Sequence, residues 1–314
     1  MDADAEWYLD HAASTPVRPE ARAAWLAASD RHHANPTGAH RAARAARRAL
    51  DDARDEVAAA LGRAASEIVF TSGGSEADNL AIRGTLAAVG GTAVCSAGEH
   101  HAVLDPVRHA GGRTVALEPD GTVDPDRLAA LLAETPDVRV VSMITVNNET
   151  GVINDIPALV DVVRRHAPDA VFHTDAVQSV RWLDVAEVTA GCDLVSVTGH
   201  KLGGPVGQGA LVVGANARLE PQILGGGQEQ GLRAGTPAVA LAAAFAAALT
   251  STVAARADEV ARLTALRDRL FDGLTAALGD DVMVSAAPGD DRSHLCGGIA
   301  HVCLRGIDAE ALVF

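Results

Sequence analysis

Short apolar, β-branched runs alternate with Ala-rich helix-forming segments along most of this chain, and that alternation restricts the fold more than any other feature. Glu67–Thr71, Thr92–Ser96, Val138–Val146, Ala170–His173, Asp193–Val197 and Ala210–Val213 read as strands. Around and between them, Ala39–Leu61, Ser75–Val89, Pro125–Leu132 and Pro157–His166 read as helices, with Asp124 as an N-cap and Pro125 in the first turn. Strands with little polar alternation, separated by helices, imply parallel βαβ units whose sheet is covered on both faces. Val239–Leu278 reads as one long helix. Beyond Val282 a second α/β pattern begins, with a strand at Ile299–Leu304 and a helix opening at Asp308. The expected class is therefore α/β. Residues 15–250 would form a large domain on a mainly parallel sheet, and residues 1–14 with 251–314 a smaller, incomplete one. A length of 314 residues suits two domains of roughly 100–200 residues each.

Charge and cysteine usage narrow the partners. Lys and Arg number 26 against 41 Asp and Glu, a formal charge of −15 that argues against general affinity for nucleic acid or an anionic membrane. Cys95, Cys192, Cys296 and Cys303 show no CxxC spacing, as expected in a reducing cytoplasm. The acidic N-terminus does not resemble a signal peptide, and the most apolar run, Ala238–Leu249, is too short to cross a bilayer.

In parallel sheets, chemistry gathers beyond the carboxyl ends of strands. Five predicted strand ends here carry polar clusters. Thr198-Gly199-His200-Lys201 places a lysine directly after a buried strand. It is either a snorkelling surface residue or a desolvated amine able to form a Schiff base with an aldehyde cofactor. Thr71-Ser72-Gly73-Gly74-Ser75-Glu76 is either an ordinary helix start or a place where free N–H groups meet a phosphate. It lacks both the P-loop ending and GxGxxG. Asp175, with Gln178 three residues on, is either a capping box or a carboxylate for a protonated ring nitrogen. His100 and His101 follow Glu99 without metal-site spacing, so stacking on a cofactor ring or proton transfer is the better reading of an imidazole there. Asn147-Asn148 ends another strand. His32, His33, His109, His166 and His294 lie in polar stretches and read as surface residues. Gly225–Thr236 is either a linker or a glycine-rich loop crossing to a partner subunit.

Lysine, phosphate loop, carboxylate and imidazole together describe a pyridoxal phosphate site. With Tyr8–Pro16, Asn35-Pro36, Glu67–Ala81, Glu99–Leu104, Val146–Gly151, Thr198–Lys201 and Gly225–Thr236, the chain resembles the cysteine desulfurases of the bacterial iron–sulfur-cluster type, in the class V aminotransferase group. The resemblance implies a fold type I enzyme that converts L-cysteine to L-alanine and passes sulfur to an enzyme cysteine as persulfide. The sulfur would go on to an iron–sulfur scaffold or a thio-modification protein. It implies that Lys201 holds pyridoxal 5′-phosphate covalently and moves the substrate α-proton. Asp175 would pair with the pyridine nitrogen, Gln178 with the phenolic oxygen, and Asn148 with the ring or substrate. His100 would stack and transfer protons. Gly74, Ser75, Thr198 and His200 would hold the phosphate, and Thr236 would reach the phosphate of the neighbouring subunit in a homodimer. Ser75 stands where threonine is frequent, and Gln230 where arginine is. In the family the sulfur-accepting cysteine lies on a loop after a helix like the one opening at Asp308, and the substrate-carboxylate arginine lies further on. Neither can be placed on residues up to Phe314, and the four cysteines present read as structural or incidental. A selenocysteine lyase-like C–S or C–Se lyase and a non-catalytic cofactor-binding subunit remain alternatives.

Overall fold

The computed structural model describes residues 7–313. Helices α1 (Pro19–Arg31) and α2 (Arg41–Ala60) precede strand β1 (Ile68–Thr71). Helix α3 (Gly74–Asn79) runs through a π-helical turn at Leu80–Gly84 into α4 (Thr85–Val89). Then follow β2 (Thr92–Ser96), α5 (His101–His109), β3 (Arg113–Val115), α6 (Pro125–Ala133), β4 (Val138–Ser142), α7 (Ile156–His166) and β5 (Val171–Asp175). They lead to α8 (Val185–Val188), β6 (Leu194–Thr198), β7 (Gly209–Val213) and the long α9 (Val239–Leu278). A hairpin-like pair, β8 (Val282–Val284) and β9 (Val302–Leu304), and the short α10 (Ala309–Val313) end the described chain.

The main sheet has the order β1-β7-β6-β5-β4-β2-β3. Only β7 runs against the rest, pairing antiparallel with both β1 and β6. Residues 199–208 contain no helix and are too few for a crossover to a parallel neighbour, so the return strand must be antiparallel. The consequence is functional: β1, β2, β4, β5 and β6 point the same way and deliver their carboxyl ends to one edge. The strand expected over Val138–Val146 stops at Ser142. Past that point the Ile144 amide donates to Glu99 Oε1 and Asn154 Nδ2 donates to the Ile144 carbonyl, while Val146 bridges Ile153. The sequence pattern also passed over α1, α5, α8, β3 and β8, which are short or carry few periodic apolar positions.

Helix α2 buries Ala43, Ala46, Leu50, Ala53 and Val57, a 3–4 spacing that turns one stripe toward the sheet. Helix α9 is long and apolar enough to cross a bilayer by composition, yet Val239, Ala242, Phe245, Ala246 and Leu249 are buried in the same core as α2. The Arg54 guanidinium, 14% exposed, pairs with Glu229, 4% exposed, at 2.7 Å, and Glu229 Oε2 also accepts the Phe70 amide at 2.8 Å. Thus the 225–236 segment is tied to α2 and β1 rather than free. Arg54→Ala leaves the Glu229 carboxylate buried and unpaired, so equilibrium unfolding in denaturant is expected to show a loss of about 3 kcal/mol.

Candidate cofactor site

The five strand ends enclose a cavity of about 570 Å³, within the size range of small-molecule sites. Nine of the ten expected residues line it: Gly74, Ser75, His100, Asn148, Asp175, Gln178, Thr198, His200 and Lys201. The tenth, Thr236, is exposed and lies outside it. A larger cavity of about 940 Å³ lies beside α2 and the 227–230 segment, but no lysine, cysteine or histidine lines it among the described residues.

Each residue is positioned by local chemistry. After β1, Thr71 Oγ1 donates to the Gly73 carbonyl at 3.0 Å, and α3 begins at Gly74. A Cβ on Gly74 would lie 2.7 Å from Val177 Cγ2, so only glycine lets this helix start approach the segment that carries Asp175. Arg233 pairs with Glu76 at 3.0 Å, and Glu76 Oε2 accepts the Ser72 amide. His100 is the N-cap of α5, its Nδ1 accepting from the Ala102 amide at 3.0 Å. That bond fixes the ring and leaves Nε2 free to carry the proton. His101 points elsewhere, exposed and near Asp105. Asn147 is structural: Nδ2 donates to the Gly98 carbonyl and Oδ1 accepts from Glu149 and Thr150, which presents Asn148 to the cavity.

At the end of β5, Asp175 is 4% exposed and accepts from the Val177 amide at 2.9 Å. Gln178 donates to the Ala12 carbonyl at 2.7 Å, and residues 177–182 turn without forming a helix, so the capping-box alternative fails. After β6, Lys201 Nζ donates to the same Ala12 carbonyl. Thr15 stitches this segment down, its Oγ1 donating to the His200 carbonyl and accepting from the Gly203 amide.

The electrostatics suit an amine that must react. Burial pulls the Lys201 ammonium below its ordinary range, against the opposing charges of Asp175 and Asp10. Burial also pulls His200 down, reinforced by Lys201. Burial raises Asp175. A carboxylate this deeply buried, facing Lys201 and His100, calls for a further cationic partner in the cavity. The protonated ring nitrogen of pyridoxal phosphate is such a partner. The free N–H groups at Gly74 and Ser75, with Thr198 and His200, suit the phosphate, so the residues present fit the group.

The sequence reading missed Asp78 and Asp10, which also line the cavity. It also passed over Glu99 as an acid, and His173. Their signal was present: a histidine within an apolar strand, and an acid inside a helix whose neighbours Ala77, Leu80 and Ala81 are buried. His294 is not a plain surface residue. Its Nε2 lies 2.7 Å from the Ala286 carbonyl and 3.2 Å from that of Asp120. Cys95, Cys192 and Cys296 are buried; burial pushes the Cys192 thiol up to about 12 and Cys296 to about 11, poor values for a nucleophile. Cys303 is exposed on β9.

A mainly parallel sheet that gathers a depressed lysine and a buried carboxylate at its carboxyl edge defines a pyridoxal phosphate-dependent enzyme of the α/β type. Residues 7–310 match the aminotransferase class-V family, and the chain belongs to it. It is 39% identical over 318 residues to an IscS-like cysteine desulfurase of Mycobacterium tuberculosis, covering 98% of this chain and 79% of that protein. Its fold is similar to that of a NifS-like protein from Rickettsia africae, with a TM-score of 0.88 and 29% identity over 97% of this chain and 83% of that one. DndA from Streptomyces lividans is similar too, with a TM-score of 0.81 and 32% identity over 98% of this chain and 87% of that one.

Proposed function

We propose that the chain is a pyridoxal phosphate-dependent cysteine desulfurase that converts L-cysteine to L-alanine and hands the sulfur to a thiol as a persulfide. The Cβ–S bond of cysteine breaks, an S–S bond forms on the acceptor, and the Cβ of the product gains a proton. The observation that carries this reading is the single cavity holding both a half-buried, depressed Lys201 and the buried Asp175. When bound, the cofactor supplies an electron sink for the charge that develops at the substrate Cα.

The residues then have distinct tasks. Lys201 would hold the cofactor covalently, and its amine would take the proton from the substrate Cα. Its desolvated amine is suited to both. Asp175 keeps the proton on the ring nitrogen. Gln178 and Asn148 orient the ring and the substrate side. His100, fixed by its N-cap bond, would stack on the ring and could exchange a proton at Nε2. Gly74, Ser75, Thr198 and His200 bind the phosphate. Thr236, exposed in the isolated chain, reaches the phosphate of a partner subunit, which makes the working form a homodimer in the cytoplasm. The sulfur goes to an iron–sulfur scaffold or a thio-modification protein.

The test uses the chain reconstituted with pyridoxal phosphate, supplied with L-cysteine and a reducing thiol. Cofactor uptake is expected, with alanine and sulfide formed slowly and in equal amounts, because the buried Cys192 and Cys296 are poor sulfur acceptors. Cofactor-loaded protein that forms pyruvate and ammonia instead of alanine overturns the desulfurase assignment and leaves the cofactor assignment standing.

A further inference from the structure

Behind the cavity wall lies a buried polar layer that the roles above leave without a task. His173 is wholly buried in β5, with Nδ1 2.8 Å from Ser142 Oγ and Nε2 3.0 Å from Ser196 Oγ, both hydroxyls also wholly buried. Asp78, on α3 and 1% exposed, brings Oδ1 to 3.6 Å from His173 Nε2 and lines the same cavity as Asp175. That Oδ1 has no hydrogen-bond partner among the described residues. Glu99, 7% exposed, is held at Oε1 by the Ile144 amide, and its Oε2 is likewise unpartnered among the described residues.

We propose that Asp78 is a positioning residue that stays protonated behind Asp175, so that the negative charge of this buried cluster resides on Asp175, where the ring nitrogen needs it. The proposal rests on the cofactor reading given above and adds a residue to it.

The argument is one of competing carboxyls. Neighbouring buried acids do not all ionise; the charge settles where donors and cations are. Asp175 accepts the Val177 amide and faces Lys201 and His100. Asp78 faces His173, Ser196 and the carboxyls of Asp175 and Glu99. His173 offers no compensating charge. Both its nitrogens are committed to serine hydroxyls, and burial pushes its pKa down to about 3. Burial, then the charge of Asp175, pushes Asp78 well above the carboxylate range, outweighing the lowering effect of nearby Ser196. As a neutral acid Asp78 can donate to Ser196. That bond would complete a chain Ser142–His173–Ser196–Asp78 pinning α3 to β4, β5 and β6 directly behind the cavity. Because α3 also supplies Gly74 and Ser75, the same contact sets the distance between the phosphate end and the ring-nitrogen end of the site.

The decisive measurement is infrared spectroscopy of the unloaded chain at neutral pH in D2O. A protonated-carboxyl C=O stretch is expected that disappears in Asp78→Asn, stays in Asp175→Asn, and is distinct from any component lost in Glu99→Gln. Ser196→Ala, which removes the hydrogen-bond partner and leaves the acid, should shift the Asp78 component without abolishing it. This second variant decides the matter if Asp78→Asn does not fold. In the loaded protein, Asp175→Asn should move the pH midpoint of the cofactor absorbance by about one unit or more, and Asp78→Asn by much less. An acid band lost in Asp175→Asn and kept in Asp78→Asn overturns the proposal. So does a midpoint that moves as far in Asp78→Asn as in Asp175→Asn. If the unaltered chain takes up no pyridoxal phosphate, the cofactor reading fails, while the infrared result still decides the charge on Asp78.

Discussion

Lys201→Ala should bind pyridoxal phosphate without capturing it. Borohydride reduction followed by mass spectrometry is expected to show the cofactor linked to the unaltered chain and absent from the variant. Gly74, Ser75, Thr198 and His200, proposed to hold the phosphate, and Asp175 all line the cavity without Lys201, so non-covalent binding should persist. Alanine formation should fall by about 10³-fold or more, since the variant lacks the group proposed both to anchor the cofactor and to act as base at the substrate Cα. Lys201→Arg should be no better, because a guanidinium stays protonated and cannot condense with an aldehyde. Capture in either variant would place the reactive amine elsewhere.

Asp175→Asn should separate function from stability. With a neutral group opposite the ring nitrogen, alanine formation is expected to drop by about 10²–10³-fold, as when one preorganised electrostatic contact is lost. The unloaded variant should nevertheless be more stable than the parent at pH 8, by about 1 kcal/mol. The sign follows from proton counts. Burial raises Asp175, and it raises Asp78 and Glu99 well above the carboxylate range, so between their unfolded and folded values the native chain binds more protons and stability falls as pH rises. His173 acts oppositely: lowered from 6.5 to about 3, it favours folding above pH 6.5 and loses that advantage as pH falls toward 3. Above pH 6.5 the raised carboxyls Asp78 and Glu99 favour unfolding as pH rises, opposed only by the lowered, half-buried Lys201, and the melting temperature of the unloaded parent should decline there. Asp175→Asn should flatten that decline, because the Asp175 charge is part of what raises Asp78 and Glu99. An unloaded parent whose melting temperature rises from pH 6.5 to 8 contradicts the buried-acid account.

Much of this site is legible in the sequence because its residues sit in short motifs that follow strands. Lys201, Asp175, Gly74 and His100 each occupy such a position, and the sheet brings the motifs together whatever the exact strand boundaries are. Asp78 and His173 were harder to see. Neither lies in a loop, and the meaning of each depends on the other across α3 and β5, a contact no local pattern reports. The reversed direction of β7 follows from the shortness of residues 199–208, but only once β6 and β7 are known to be neighbours. Helix α5 was overlooked because two histidines and Pro106 interrupt its pattern, although His100 caps it with a ring nitrogen in place of the usual oxygen. Ala12 contributes only its carbonyl to Lys201 and Gln178, and side-chain identity cannot announce a backbone group.

The pairing of β1 with β7 has a consequence for how the protein is made. Ile68 meets Val212 and Thr71 meets Gly209, so the first strand of the sheet to leave the ribosome has as its partner the last strand made. At roughly 5–20 residues per second, β1 waits on the order of ten seconds with its backbone edge unpaired. Strands β2 to β6 can assemble with their neighbours as they emerge, but the helix start at Gly74 cannot dock until β7 slots in beside Gly73, where a Cβ on Gly209 would lie only 2.9 Å from the Gly73 backbone. Nascent chains stalled before residue 209 should therefore hold an open strand edge and no pocket, and this is the interval in which a chaperone has the most to protect.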